Sequence, residues 1–116
     1  MKSKSLWPTI AEVLRPKAED PVHILKTQIE VGNKQFPGLN AVLNKGDDVD
    51  YLFCIDHTLP IFGLTLSKTE WYPVTIKLTT QKLFQVNDAT ELCNCVRDIL
   101  NSDNVVLSIY NTIRRK

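Results

Sequence analysis

The stretch that decides the fold is VDYLFCIDHTLPIFGLTLSKTEWYPVTIKLT, residues 49–79. Within it, apolar residues alternate with polar or small ones three times, in 49–56, 61–68 and 73–79. Alternation with a period of two predicts β-strands that bury one face. The connections between these runs are short, and short connections join antiparallel neighbours. The residues expected to face the core are Val49, Tyr51, Phe53, Ile55, Leu64, Leu66, Val74, Ile76 and Leu78.

Shorter runs on either side extend this sheet. LNAVLN (39–44) predicts a preceding strand, separated from the central stretch by the turn sequence KGDD. KLFQV (82–86) predicts a fifth short strand after it. We therefore expect an antiparallel sheet of four to five strands with one apolar and one polar face.

Before the sheet, the apolar spacing is helical. Residues 6–14 have apolar side chains three and four positions apart, and Pro16 ends this pattern. Asp20 followed by Pro21 is a typical helix start, with a capping side chain and then a proline in the first turn. The second helix should end at the Pro-Gly pair of 37–38.

After the sheet, the spacing becomes helical again. Asp88 is a candidate N-cap with Glu91 three residues later, and Ser102 or Asp103 is a candidate cap for a last helix. The apolar stripe expected on that last helix is Val106, Ile109, Tyr110 and Ile113. The order α-α-β-β-β-β-α-α predicts a single α+β domain over residues 1–116, with the N-terminal and C-terminal helices packed on one face of the sheet.

The composition narrows the class of protein. The chain has 116 residues, 43% hydrophobic and 23% charged, with a net charge of +1. This balance is typical of a globular domain, and the lack of excess positive charge argues against nucleic-acid binding. No run reaches the ~18 apolar residues of a membrane span, so no membrane association is expected. Three cysteines, an odd number, and an N-terminal run unlike a signal peptide predict a cytoplasmic protein with free thiols.

Three cysteines and a histidine raise the question of a metal or thiol site. Cys54 and His57 form a C-x2-H pair, and Cys93 and Cys95 form a C-x-C pair on a predicted helix. Residues two positions apart on a helix are separated by about 200° around its axis. Cys93 and Cys95 therefore cannot both bind one ion unless the helix unwinds. We therefore expect no metal and no cofactor. A thiol- or metal-dependent enzyme, or a zinc protein, using Cys54 and His57 remains the alternative.

The strongest candidate contact surface is the loop containing Glu70, Trp71 and Tyr72. Aromatic side chains at turns are often half-exposed, and exposed aromatics are favoured at protein interfaces. With no recognisable set of catalytic residues, we expect a non-enzymatic module that binds another protein, as an inhibitor or immunity-type factor would. Homo-oligomerisation stays open. A further alternative is single-stranded nucleic-acid binding on the open sheet face. That face is expected to present Thr75, Lys77 and Thr79.

Several motifs resemble a group of small bacterial and phage proteins without an assigned activity. The resemblance rests on a P-x-x-I-L-x-x-Q helix, a Y-P-V strand start and a closing helix that ends in I-L-x-S. The matching positions are Pro21, Ile24, Leu25, Gln28, Tyr72, Pro73, Val74, Ile99, Leu100 and Ser102. It implies a bacterial or phage cytoplasmic setting and supplies no catalytic or binding residue.

Overall fold

The computed structural model describes residues 19–115, and the helix expected over residues 6–14 lies outside them. Within the described part, one helix precedes a five-stranded antiparallel sheet and two helices follow it, which confirms the α+β class. The elements are α1 (Pro21–Gln35), β1 (Val42–Lys45), β2 (Tyr51–Ile55), β3 (Leu59–Thr65), β4 (Val74–Leu78), β5 (Leu83–Val86), α2 (Ala89–Leu100) and α3 (Asp103–Arg114).

The sheet is a meander, because each strand pairs with its neighbour in sequence, in the order β1-β2-β3-β4-β5. The run 82–86 does form the fifth strand, paired antiparallel with β4. One irregularity interrupts the β2–β3 ladder: Phe53 pairs with Phe62 and Cys54 with Pro60, so Ile61 is an extra residue in β3. This bulge allows the consecutive residues Ile61 and Phe62 both to be buried in the core.

The helices begin where the sequence predicts. The Asp20 carboxylate accepts a hydrogen bond from the Val22 amide at 3.0 Å, and the Asp88 carboxylate accepts one from the Glu91 amide at 2.8 Å. Ser102 precedes α3, but its hydroxyl donates backward to the Ile99 carbonyl at 2.7 Å and does not cap the helix. None of the helices in residues 19–115 combines the length and apolar character that a membrane span requires.

The core lies between the helices and one face of the sheet, which we call the helix face. Phe53 and Phe62 stack there with ring centroids 4.9 Å apart. Leu25 of α1 and Leu92 and Val96 of α2 are buried in the same cluster. The sheet residues expected in the core are buried or partly buried in this cluster, Val49 excepted: they are Tyr51, Phe53, Ile55, Leu64, Leu66, Val74, Ile76 and Leu78.

Val49 is buried, but the prediction that it faces the same core is wrong. Gly63 lies between the core residues Phe62 and Leu64, so a side chain at position 63 would point to the opposite face of the sheet. A Cβ built on Gly63 would lie 2.9 Å from Val49, so Val49 covers the sheet from that opposite face. The reason is that the β1–β2 connection folds back over the sheet before β2 begins.

Asn33 attaches α1 to the start of the sheet. Its side-chain amide donates to the Ala41 carbonyl at 3.1 Å and accepts from the Ala41 amide at 2.8 Å. Ala41 immediately precedes β1, an edge strand. The paired hydrogen bonds fix the C-terminal half of α1 above β1, and this half of the helix forms one wall of the groove described below.

Candidate functional site

The predicted contact loop connects β3 to β4. Glu70 is exposed and Trp71 is 40% exposed, so both are available to a partner. Tyr72 is different, because its ring packs partly against the core and its hydroxyl donates to the Glu19 carbonyl at 2.8 Å. The loop therefore presents Glu70 and Trp71 at the surface, while Tyr72 fastens the loop to the start of α1.

The environment of Tyr72 supports this structural role. Burial raises the pKa of Tyr72 to about 12, and the nearby side chains of Cys93, Asp20 and Asp88 add to the effect. Asp20 and Asp88 are the N-caps of α1 and α2. The Tyr72 hydroxyl thus lies near the starts of two helices, as a neutral hydrogen-bond donor.

The acidic connection between β1 and β2, residues 46–50, covers part of the face opposite the helices. Asp48 accepts a hydrogen bond from the Lys77 ammonium at 2.6 Å, and this contact lowers the pKa of the Asp48 carboxyl below its usual value. Asp50 accepts from the Leu66 amide at 2.7 Å. Val49 also lies over Gly63 on this face. The connection therefore covers sheet surface that a nucleic-acid-binding platform would leave exposed.

The same face offers little for nucleic-acid stacking. Thr75 and Lys77 do point to it, paired with Gln85 and Leu83 of β5, but Thr79 lies in the turn after β4. The strand residues that the register places on this face include no aromatic side chain; they are Val42, Asn44, Leu52, Cys54, Pro60, Gly63, Thr65, Thr75, Lys77, Leu83 and Gln85.

Cys54, His57 and the pair Cys93 and Cys95 lie in three different parts of the fold. Cys54 is buried in β2, and burial raises the pKa of its thiol. His57 is exposed in the β2–β3 turn, with a left-handed backbone. Cys93 is exposed and Cys95 is half-buried on α2. A raised pKa lowers the thiolate fraction of Cys54 and hence its reactivity. In residues 19–115 no three His, Cys, Asp or Glu side chains are arranged to hold a metal ion.

An apolar groove of about 430 Å³ lies between α1 and α3, and we call it the α1–α3 groove. Phe53 and Ile55 of β2 form its floor. Its walls include Val31, Val106 and Tyr110, which are 48%, 50% and 58% exposed. Exposed apolar side chains that converge on an apolar floor are typical of a protein-binding surface.

The sequence does not predict the groove, because the apolar stripe expected on the last helix, which includes Val106 and Tyr110, is expected to pack on the sheet. In the structure Ile109 packs against the core, whereas Val106 and Tyr110 remain largely exposed. The signal was present in the run Val105-Val106-Leu107, because successive helical residues are 100° apart and cannot all face one way. Leu107 is 59% exposed and extends the apolar surface along α3.

Basic side chains lie at one end of the groove. Arg114 places its guanidinium 5.8 Å from the centre of the Tyr110 ring, and Lys34 lies one turn beyond Val31 on α1. Arg115 binds the Asp56 carboxylate at 3.2 Å, at the same end. The opposite end, where α3 begins, has the acidic Asp103. The α1–α3 groove is therefore apolar along its length and basic at the end where the two helices finish.

A second cleft, of about 560 Å³, lies on the helix face between the β4–β5 hairpin, α2 and the start of α3. Its lining combines apolar residues such as Ile61 and Leu78 with the carboxylates of Glu91 and Asp98. Cys95 also lines it. We call it the α2–hairpin cleft.

Comparisons of this chain with known protein families, with curated proteins and with solved structures found no match.

Proposed function

We propose that this protein is a non-enzymatic binding module that takes an amphipathic helix of another protein into the α1–α3 groove. The observation that supports the proposal is the exposure of Val31, Val106 and Tyr110 around the apolar floor. Burying such side chains in a complex removes apolar surface from water at roughly 25 cal/mol per Å².

The shape of the groove favours a helical occupant. Two helices with a gap between them present parallel rows of side chains, and a third helix can pack into such rows at an interaxial distance of about 8–10 Å. An amphipathic helix laid in an apolar groove uses anchors at positions i, i+3 or i+4, and i+7. The backbone groups of a helix are satisfied internally, so such a ligand brings few unpaired polar groups to the apolar floor.

The basic side chains at one end of the groove favour one orientation of the bound helix over the reverse. Lys34 and Arg114 favour acidic residues at the end of the ligand that lies between the C-termini of α1 and α3. These side chains are exposed, so their effect should be modest and should weaken in salt. Tyr110 is the expected anchor, because a large aromatic side chain beside an Arg residue is typical of interface hot spots.

The test uses displayed helical peptides, since it does not require the natural partner. Selection against the protein should enrich amphipathic sequences with acidic residues near one end. For a selected peptide, Tyr110→Ala should weaken binding tenfold or more, a loss of at least ~1.4 kcal/mol. Leu83→Ser is the matched control, because Leu83 is 61% exposed on β5, outside the groove. The control should leave the affinity unchanged.

The loop at Glu70 and Trp71 is the rival contact surface in this experiment. If Trp71→Ala weakens the selected peptides while Tyr110→Ala and Val106→Ser do not, the binding surface is this loop and the groove proposal fails. A module of either kind fits an inhibitor or immunity-type role, in which the partner is blocked by occupancy alone.

A further inference from the structure

The α2–hairpin cleft has an apolar interior that none of the helices in residues 19–115 covers. Ile61 and Leu78 of the sheet and Ile99 of α2 form its inner surface, and Phe84, which is 36% exposed, forms part of the hairpin wall. A volume of about 560 Å³ falls within the range of small-molecule sites. The cleft is separate from the α1–α3 groove, and the two share no lining residue.

The two charged side chains that line the cleft, Glu91 and Asp98, are both acidic, and its other polar residues are neutral. Glu91, Cys95 and Asp98 are spaced four and three residues apart on α2, so they lie along one side of the helix and all line the cleft. Asn87 holds the Glu91 carboxylate in place through backbone and side-chain donors, at 3.2 and 3.3 Å. No lysine or arginine is among the residues that line the cleft within the described chain.

Two positively charged features lie near the cleft: the N-terminus of α3 and the Lys82 ammonium. The start of α3 reaches the cleft at Ser102 and Asn104, and a helix N-terminus is electropositive. Asp103 in the first turn of α3 provides a compensating negative charge. The Lys82 ammonium lies 5.2 Å from the centre of the Phe84 ring, so Lys82 occupies one face of this ring.

We propose that the α2–hairpin cleft binds a small amphiphilic cation, with an ammonium group beside Glu91 and Asp98 and an apolar body over Ile61 and Leu78. The apolar interior accommodates the body of the ligand, and the carboxylates of Glu91 and Asp98 attract its charge. The aromatic ring of Phe84 offers an additional favourable contact to a cation or to an aromatic body. This site is additional to the binding function proposed for the α1–α3 groove and does not depend on it.

The cysteines provide a built-in reporter for this site. Cys95 lines the cleft, whereas Cys93 on the same helix lies in a different pocket, between α1 and α2. Alkylation of each thiol can be followed by mass spectrometry of the intact domain and its peptides. The probes are 2-phenylethylamine, 2-phenylethanol and 3-phenylpropanoate, which share an aromatic body and differ in charge.

We expect 2-phenylethylamine to slow alkylation of Cys95 in a saturable way, with a half-maximal effect at about 1–10 mM, as befits so small a ligand. The alcohol should protect at least threefold less well, and the carboxylate should not protect. Cys93 should react at the same rate throughout. The combined substitution Glu91→Gln and Asp98→Asn should abolish the preference for the amine, whereas Lys82→Ala should increase protection two- to threefold. Rates with and without probe are compared within each variant, because removing Asp98 also changes the thiol itself.

Several outcomes would overturn the proposal. One is equal protection by the three probes, which would indicate apolar contact without charge selection. Another is no protection of Cys95 at any soluble concentration, and a third is equal protection of Cys93. Chemical-shift changes of the Ile61 and Ile99 methyl groups on adding the amine provide a second readout. Their absence while alkylation slows would assign the effect to the thiol chemistry and not to binding.

Discussion

At the scale of single residues, the contact between Gly63 and Val49 gives the sharpest prediction. A Cβ at position 63 would lie 2.9 Å from one Val49 methyl and 3.0 Å from the other. Because Val49 is β-branched and held by its own loop, it has little freedom to move aside. Gly63→Ala should therefore lower the free energy of unfolding by about 1–3 kcal/mol, measured by chemical denaturation.

A double substitution separates this clash from the general effect of altering β3. Val49→Ala alone removes two buried methyl groups and should destabilise by about 1–2 kcal/mol. In the Val49→Ala background, adding Gly63→Ala should cost much less than in the parent, since the space is then vacant. Additive losses in the double variant would show that Val49 does not cover Gly63.

Thr112 is the second residue whose substitution should change the stability of the protein measurably. It is completely buried on α3, and its hydroxyl has no hydrogen-bond partner among the described residues. Thr112→Val keeps the shape and removes the unsatisfied group, so it should stabilise the protein by about 1 kcal/mol. Thr112→Ser keeps the hydroxyl, removes a methyl group and should destabilise it. Thermal denaturation of the two variants decides the matter, and a loss of stability in Thr112→Val would indicate a hidden partner for the hydroxyl.

At the scale of elements, the link between α1 and β1 depends on one side chain. Asn33 satisfies both backbone groups of Ala41. Asn33→Ala should cost about 1–2 kcal/mol, because two hydrogen bonds are lost although alanine is the better helix former. Asn111→Ala, on the exposed side of α3, is the control and should leave stability unchanged or slightly raised. Hydrogen exchange should show faster opening of β1 in Asn33→Ala, and an unchanged β1 would contradict the proposed link.

The connection between the β3–β4 loop and α1 predicts a pH effect. Since the folded pKa of Tyr72 is raised to about 12, from an unfolded value near ~10, its stabilising contribution is fully present below about pH 10. It should be lost as the pH rises from about 10 to about 12. Tyr72→Phe should cost ~1 kcal/mol at pH 7 through the lost bond to Glu19.

The readout is the difference in unfolding free energy between the parent and Tyr72→Phe, measured by denaturant titration across this pH range. It should shrink between pH ~10 and ~12, because only the parent loses the contribution of Tyr72. A constant difference would mean that the hydroxyl is not protected from water.

The elements themselves were largely predictable from sequence, because their signals are local. The period-two alternation of apolar residues predicts the strands, and the capping residues Asp20 and Asp88 predict where two helices start. The reversal of Val49 was not predictable, since period-two alternation applies only inside a strand and Val49 precedes one. The α1–α3 groove was also missed, because a periodic pattern shows which helix positions are apolar but not which of them another element covers.

At the scale of the whole molecule, the free thiols allow a test of what holds the fold together. The combined replacement of Cys54, Cys93 and Cys95 by alanine should leave a folded protein. The buried Cys54 should account for most of a total loss of about 1–2 kcal/mol, whereas Cys93 is exposed. Circular dichroism and denaturant titration check this. Loss of folding in the triple variant, with zinc-dependent folding in the parent, would instead assign the cysteines a metal-binding role.

The meander topology has a consequence for how the protein emerges during synthesis. Every strand pairs with the one made just before it, so the sheet can assemble through short loop closures as the chain lengthens. The residues of α2 and α3, from 89 onward, are made after the whole sheet, yet α2 supplies Leu92 and Val96 to the core. At ribosomal rates of about 5–20 residues per second, the helix face of the nascent sheet stays partly uncovered for ~1–6 s. A nascent chain arrested before residue 89 should therefore be the form most prone to aggregate and most in need of a chaperone.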